Sequence, residues 1–200
     1  MTTIEVEQKT THEVRLHGRG GQGAVLASKI LAKAIVMSGQ HVTAIPAFGF
    51  ERRGAPVAAF LRYSDRPLRA VTNIYAPDYI ICIDPSIPKA VDIFAGVQPN
   101  STLIQATRQS AESLNCPEQI TRVVLCDAVS IGMEVFRRPI TNTIMLGAFA
   151  KATGIVTMEG LRAGLESANF RDAGLEQNLI AVERGFNESI VKQRQGGEWV

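Results

Sequence analysis

The sequence predicts an α/β fold, a three-layer sandwich on a mainly parallel, Rossmann-like sheet with a helical C-terminal part. Three observations lead there. Alternating residues 14–17 run through the turn Gly18-Arg19-Gly20-Gly21-Gln22-Gly23 into a segment of helical spacing. Residues 79–83 form a continuous apolar run, as a central parallel strand covered on both faces does. Strands and helical patterns then alternate along the chain.

Each element has its own signal. Residues 24–38 carry Val25, Leu26, Ile30, Leu31, Ala34 and Ile35 on one helical face, and Gly39 is placed to end the helix. Residues 41–45 and 57–63 alternate as strands, the second closed by the turn residues Ser64-Asp65-Arg66-Pro67, with 68–71 as its hairpin partner. The run at 79–84 ends at Asp84-Pro85, and 86–94 reads as a short helix stopped by Gly96. Residues 101–105 and 122–126 are two further strands, with a helical turn at 109–114 between them. Residues 128–136, 142–153, 158–168 and 174–191 read as helices, so the chain closes in an all-helical part. Residues 1–11 are expected to be a flexible leader, 12–192 a single α/β domain, and 193–200 a frayed tail in which Trp199 is available to anchor a partner.

Composition narrows the function. An apolar fraction of 46% and a charged fraction of 20% are those of a soluble globular chain. A net charge of +2 gives no reason to expect nucleic acid or a membrane surface as a partner. No window has the length of apolar sequence that a span needs, and the polar first ten residues are not a signal peptide, so a cytoplasmic location is expected. Cys82, Cys116 and Cys126 are far apart and form no C-x-x-C, so this chain alone is not expected to hold an iron–sulfur cluster or a metal.

The glycine turn fits G-x-G-x-x-G through Gly18, Gly20 and Gly23. Backbone N–H groups, the helix N-terminus and the Arg19 charge together suit a phosphate or carboxylate. A dinucleotide site also needs an acidic residue at the end of the second strand, and residues 41–45 contain none. The turn therefore admits two readings: contact with an anion or cofactor, or a tight helix–strand turn that packs internally or faces another subunit. Asp84 and Asp127 both fall at carboxyl ends of strands, the edge that carries ligands in such sheets, and capping of the next helix is the preferred reading of each. His12, His17 and His41 have no metal-ligand spacing, and His17, beside the turn, is read as structural. The segment Phe48, Gly49, Phe50, Glu51, Arg52, Arg53, Gly54 combines aromatics and arginines on an irregular loop, which suits an interface.

Taken together, GRGGQG and PAFGFERRGAPVAAFLR resemble the gamma subunit, or gamma domain, of the 2-oxoacid:acceptor oxidoreductases, whose best-known member is pyruvate:ferredoxin oxidoreductase. The resemblance continues through Ser64-Asp65 with Pro67, Pro77-Asp78, Asp84-Pro85, Asn142 with Met145-Leu146-Gly147-Ala148, and Asn178 with Ala181 and Gly185.

The resemblance implies a multi-subunit enzyme that oxidatively decarboxylates a 2-oxoacid to an acyl-CoA and passes electrons to ferredoxin or, through a flavin subunit, to NAD. Alpha, beta and delta-type subunits are the implied partners. Thiamine diphosphate, Mg and the iron–sulfur clusters are implied on those chains, with coenzyme A as co-substrate. This chain is then a supporting subunit with no catalytic residue of its own. Gly18, Arg19, Gly20, Gly21, Gln22 and Gly23 would face the CoA or thiamine side, and residues 48–54 would dock other chains. The substrate range runs from pyruvate to aryl 2-oxoacids such as phenylglyoxylate. The alternatives are a free nucleotide- or CoA-binding regulatory module and a purely structural scaffold.

Overall fold

The computed structural model describes residues 11–46, 53–69, 72–168, 170 and 174–200. Among the described residues, eight strands form one sheet in the order β2-β3-β1-β4-β5-β6-β7-β8. They are β1 (Thr11–Arg19), β2 (His41–Pro46), β3 (Pro56–Ser64), β4 (Tyr79–Cys82), β5 (Ser101–Ala106), β6 (Ile120–Cys126), β7 (Ile190–Gln195) and β8 (Glu198–Trp199). β1, β4, β5 and β6 are parallel neighbours, while β3 joins β1, and β7 joins β6, antiparallel. Five α-helices accompany them among the described residues: α1 (Ala24–Met37), α2 (Ala128–Phe136), α3 (Asn142–Thr153), α4 (Met158–Glu166) and α5 (Leu175–Glu188).

The sheet is buried on both faces, and one register row on each face shows it. Leu16, Ile81, Ile104 and Val124 lie side by side and pack under the five helices. On the other face, Arg15, Ile80, Leu103 and Val123 lie side by side. Their cover is a layer of turns and short 3-10 helices that contributes Ile87, Ile93 and Ala111. The three layers are therefore helices, sheet and turns, with all five helices on one side. α1 has no side-chain N-cap, which forgoes about 1 kcal/mol. Burial of Ile30, Leu31 and Ile35, at about 1.5–3 kcal/mol each, decides that it forms.

Several elements differ from the sequence reading. The helix expected over 86–94 is only a 3-10 turn, Ile87–Lys89, and Arg15 draws the Ile93 and Ala95 carbonyls to itself at 2.8 Å. The hairpin partner expected at 68–71 is not a strand at Leu68 and Arg69, and β3 pairs with β1 and β2 instead. Helix α5 stops at Glu188, not at residue 191. Ser189 turns to extended backbone, and the Lys151 ammonium donates to the carbonyls of Asn187 (3.2 Å) and Ser189 (2.6 Å). A hairpin follows where a frayed end was expected. Gly196 and Gly197, at φ 59° and 94°, form the positive-φ pair that a tight hairpin turn needs. Trp199 packs on the second core cluster under the Arg194 guanidinium, 4.5 Å from its ring.

Candidate functional site

The sheet reverses its direction of growth between β1 and β4, since β2 and β3 add on one side of β1 and β4, β5 and β6 on the other. In open α/β sheets ligands sit at such a switch point, beyond the carboxyl ends of the strands. The segments there are the glycine turn after β1 and Asp84-Pro85-Ser86 after β4.

The two motifs singled out by the sequence meet at this edge. The Gly20 N–H donates to the Ala55 carbonyl (2.9 Å) and the Gly54 N–H to the Gly20 carbonyl (3.0 Å), so the β1–β3 ladder continues past Arg19 and Pro56. Arg53 and Gly54 are exposed. Phe48, Gly49, Phe50, Glu51 and Arg52 lie outside the described residues. Gly21 and Gly23 have φ of 93° and 82°, where a side chain is strained. A Cβ on Gly23 would also collide with the Asn142 amide, and one on Gly18 would come to 2.8 Å from the Ile83 side chain.

Arg19 is held within the chain. Its Nε and Nη2 donate to Ser86 Oγ (3.1 and 2.8 Å), and its Nη1 donates to the Gly54 carbonyl (3.0 Å). Asp84 Oδ2 lies 3.5 Å from Arg19 Nε and accepts a short hydrogen bond from Gln22 Nε2. Asp84 Oδ1 accepts from the Ser86 N–H (2.7 Å) and hydroxyl (2.5 Å). Gln22 Oε1 in turn accepts from the Arg19 backbone N–H at 2.7 Å. Burial alone would raise the Asp84 carboxyl, but the hydrogen bonds from Ser86 and Gln22 and the Arg19 charge hold it below the usual carboxylate range. Ser86 was not singled out from the sequence, although Asp-Pro-Ser is the signature of a side-chain-closed turn.

The remaining candidates are structural. Asp127 caps α2 through the Ser130 N–H (3.2 Å) and pairs with Arg108 at 2.9 Å. His17 is buried, with Nε2 unpartnered among the described residues. Two open cavities, of about 320 and 520 Å³, lie at the amino ends of β5 and β6, lined by residues such as Thr102 and Thr121 or Gly96 and Gln119, away from the turn.

Comparison with known proteins decides the family. Residues 13–188 match the model of the pyruvate ferredoxin/flavodoxin oxidoreductase family. The chain belongs to that family. The gamma subunit of NADH-dependent phenylglyoxylate dehydrogenase from Aromatoleum evansii is 57% identical over 180 residues, 90% of this chain and 95% of the relative. The common gamma subunit of the pyruvate/ketoisovalerate oxidoreductases from Thermococcus kodakarensis is 44% identical over 181 residues, 90% and 97% of the two chains. The crystal structure of pyruvate oxidoreductase subunit PORC from Thermotoga maritima superposes with a TM-score of 0.78 at 33% identity, covering 92% and 99%. The relatives of this family member are thus subunits of oxidoreductase complexes.

The cysteines of this chain do not fit the clusters of such complexes. Cys82 and Cys126 lie in the cores of opposite sheet faces, and Cys116 lies before β6. Burial pushes the Cys82 thiol up to about 12 and those of Cys116 and Cys126 up to about 11, whereas cluster ligands are thiolates. Among the described residues no three His, Cys, Asp or Glu side chains are grouped to hold a metal, and no helix is long and apolar enough to cross a membrane.

Proposed function

We propose that this chain is the gamma subunit of a 2-oxoacid oxidoreductase that acts on an aryl 2-oxoacid of the phenylglyoxylate type. The reaction takes the 2-oxoacid, CoA and NAD to the aroyl-CoA, carbon dioxide and NADH. The observation that carries this reading is the 57% identity to a phenylglyoxylate dehydrogenase gamma subunit, against 44% to the subunit shared by pyruvate and ketoisovalerate enzymes. Thiamine diphosphate and the iron–sulfur clusters belong, in this reading, to partner chains, and no step runs through a residue of this one.

The role of this chain is to dock. The Arg19–Asp84–Ser86–Gln22 network is satisfied internally and offers no free acid, base or nucleophile. Its backbone pairing holds residues 53–56 at the carboxyl edge, where a neighbouring subunit can read them. A contact of the turn 18–23 with CoA would fall to backbone N–H groups near Gly21, which is exposed, because the Arg19 guanidinium is engaged. The test is purification of the tagged chain from its native host, followed by CoA-dependent NAD reduction with phenylglyoxylate or pyruvate. Co-purifying chains and faster turnover of phenylglyoxylate are expected. Preference for pyruvate would reject the aryl assignment, and a chain that emerges alone would reject the subunit role.

A further inference from the structure

We propose that the smaller cavity at the amino ends of β5 and β6 is a site for a phosphate-type dianion, either free phosphate or the phosphate group of a small hydroxylated molecule. It lies at the opposite edge of the sheet from the glycine turn and stands independently of the subunit reading above.

The strands build this cavity by a break in register. Ile120 and Val123 both sit in the apolar cluster under the turns, although residues three apart on a regular strand face opposite sides. Between them β6 carries an extra residue: Ser101 pairs with Ile120, and the next residue, Thr102, pairs with Arg122. The bulge leaves Thr121 unpaired and sends Thr121 and Arg122 to the helical side, the re-aiming that bulges perform beside functional sites. Arg122 then stands in one row between Thr102 on β5 and Gln193 on β7. These four residues, with Asn100 and Arg194, line a cavity of about 320 Å³.

The lining selects an anion. Arg122 Nη1 donates to the Ala152 carbonyl at 2.8 Å. With the Gln193 amide oxygen turned towards it, Arg122 also donates there through Nη2 (2.6 Å) and Nε (3.3 Å). Arg194 donates to the carbonyls of Pro117 (3.2 Å) and Cys116 (3.3 Å). All these acceptors are neutral. Neither guanidinium forms an ion pair among the described residues, and no Asp or Glu lines the cavity. Asp78, whose carbonyl accepts from the Thr102 N–H (2.8 Å), turns its carboxylate to the Glu13 N–H on β1 instead (2.8 Å).

Thr102 supplies the second observation. It is only 7% exposed, yet its hydroxyl has no partner among the described residues. A hydroxyl removed from bulk water without a partner is costly, and a ligand in the cavity meets it. Two positive charges and a free hydroxyl suit a dianion with several acceptor oxygens better than a planar monoanion. The volume is at the lower end of the roughly 300–1,000 Å³ range of ligand sites, which gives room for a phosphate with a short polar carrier.

Calorimetric titration of the full chain tests this, with inorganic phosphate, glycerol 3-phosphate and acetate as probes and ionic strength held constant with chloride. Wild type is expected to take up one phosphate per chain, saturably. Thr102→Val keeps the shape of the side chain and removes a hydroxyl that no described protein group uses. Its melting temperature should therefore stay at or above that of wild type, while its affinity for phosphate falls roughly tenfold, the scale of one hydrogen bond to a charged group. Arg122→Gln should lose saturable binding. Because Arg122→Gln also gives up the bond to α3, Thr102→Val is the deciding variant where the glutamine variant fails to fold. Tighter binding of glycerol 3-phosphate than of phosphate supports a phosphate monoester as the ligand, and the reverse order supports free phosphate. A wild type that binds neither overturns the proposal, as does a Thr102→Val chain that binds as tightly as wild type. Acetate bound as tightly as phosphate overturns the dianion assignment.

Discussion

His17 shows how strongly one side chain can couple this fold to pH. It stands beside Cys82 in the β1–β4 register and is 8% exposed. Burial first, and the Arg15 charge second, push its imidazole down from 6.5 to about 4, partly offset by Asp92. The ring is neutral at physiological pH. Its folded value lies below its unfolded one, so its contribution is fully present above pH 6.5 and is lost as pH falls towards 4. A shift of that size corresponds to about 3 kcal/mol. His17→Gln should therefore be less sensitive to acid than wild type. Urea unfolding at pH 7 and near pH 4 checks this, and parallel losses in the two proteins would refute it. The neighbouring network was partly readable: Arg19, Gln22 and Asp84 stand out in the sequence by residue type and position. Their mutual engagement was not readable, because it depends on two strand ends 62 residues apart meeting at the switch point.

At the scale of elements, the glycines of α3 and α5 are reciprocal. A Cβ on Gly147 would fall on the Val182 carbonyl, and one on Gly185 would fall on that of Ile144. The two backbones touch where the glycines cross. Gly185→Ala would gain about 1 kcal/mol of helix propensity, but forcing the helices apart costs about 1–3 kcal/mol, and more where the obstacle is backbone. Net destabilisation is expected, visible as a lowered thermal midpoint; an unchanged or raised midpoint would show that the helices separate freely. Helix bounds such as 128–136 and 142–153 were legible from spacing because those helices obey one local period. The C-terminal hairpin was not. Ile190 and Val191 directly follow a helical pattern, and the turn that redirects them, Gly196-Gly197, comes five residues later. Its strand pairs with β6, whose edge no local pattern reveals.

For the molecule as a whole, the asymmetry of the layers decides where it can move. One sheet face carries five interlocked helices, while the other is covered by turns whose backbone has few regular hydrogen bonds. Such regions open at lower free energy than the strands beneath them. One polar connection between sheet and turns is Arg15, a buried guanidinium on β1 whose Nη2 donates to the Ile93 and Ala95 carbonyls at 2.8 Å. Arg15→Met keeps the length of the stem and removes these bonds. Hydrogen bonds to a charged group contribute about 1.5–3 kcal/mol each, so amides of residues 91–97 should exchange with solvent roughly tenfold faster or more. Amides of β1, β4 and β5 should keep their rates, because their ladder and the helical face are untouched. Hydrogen exchange read by mass spectrometry separates the outcomes. Equal acceleration of strands and cover would mean that Arg15 supports the whole sheet, and no change at 91–97 would mean that apolar packing of Ile87 and Ile93 alone holds the cover in place.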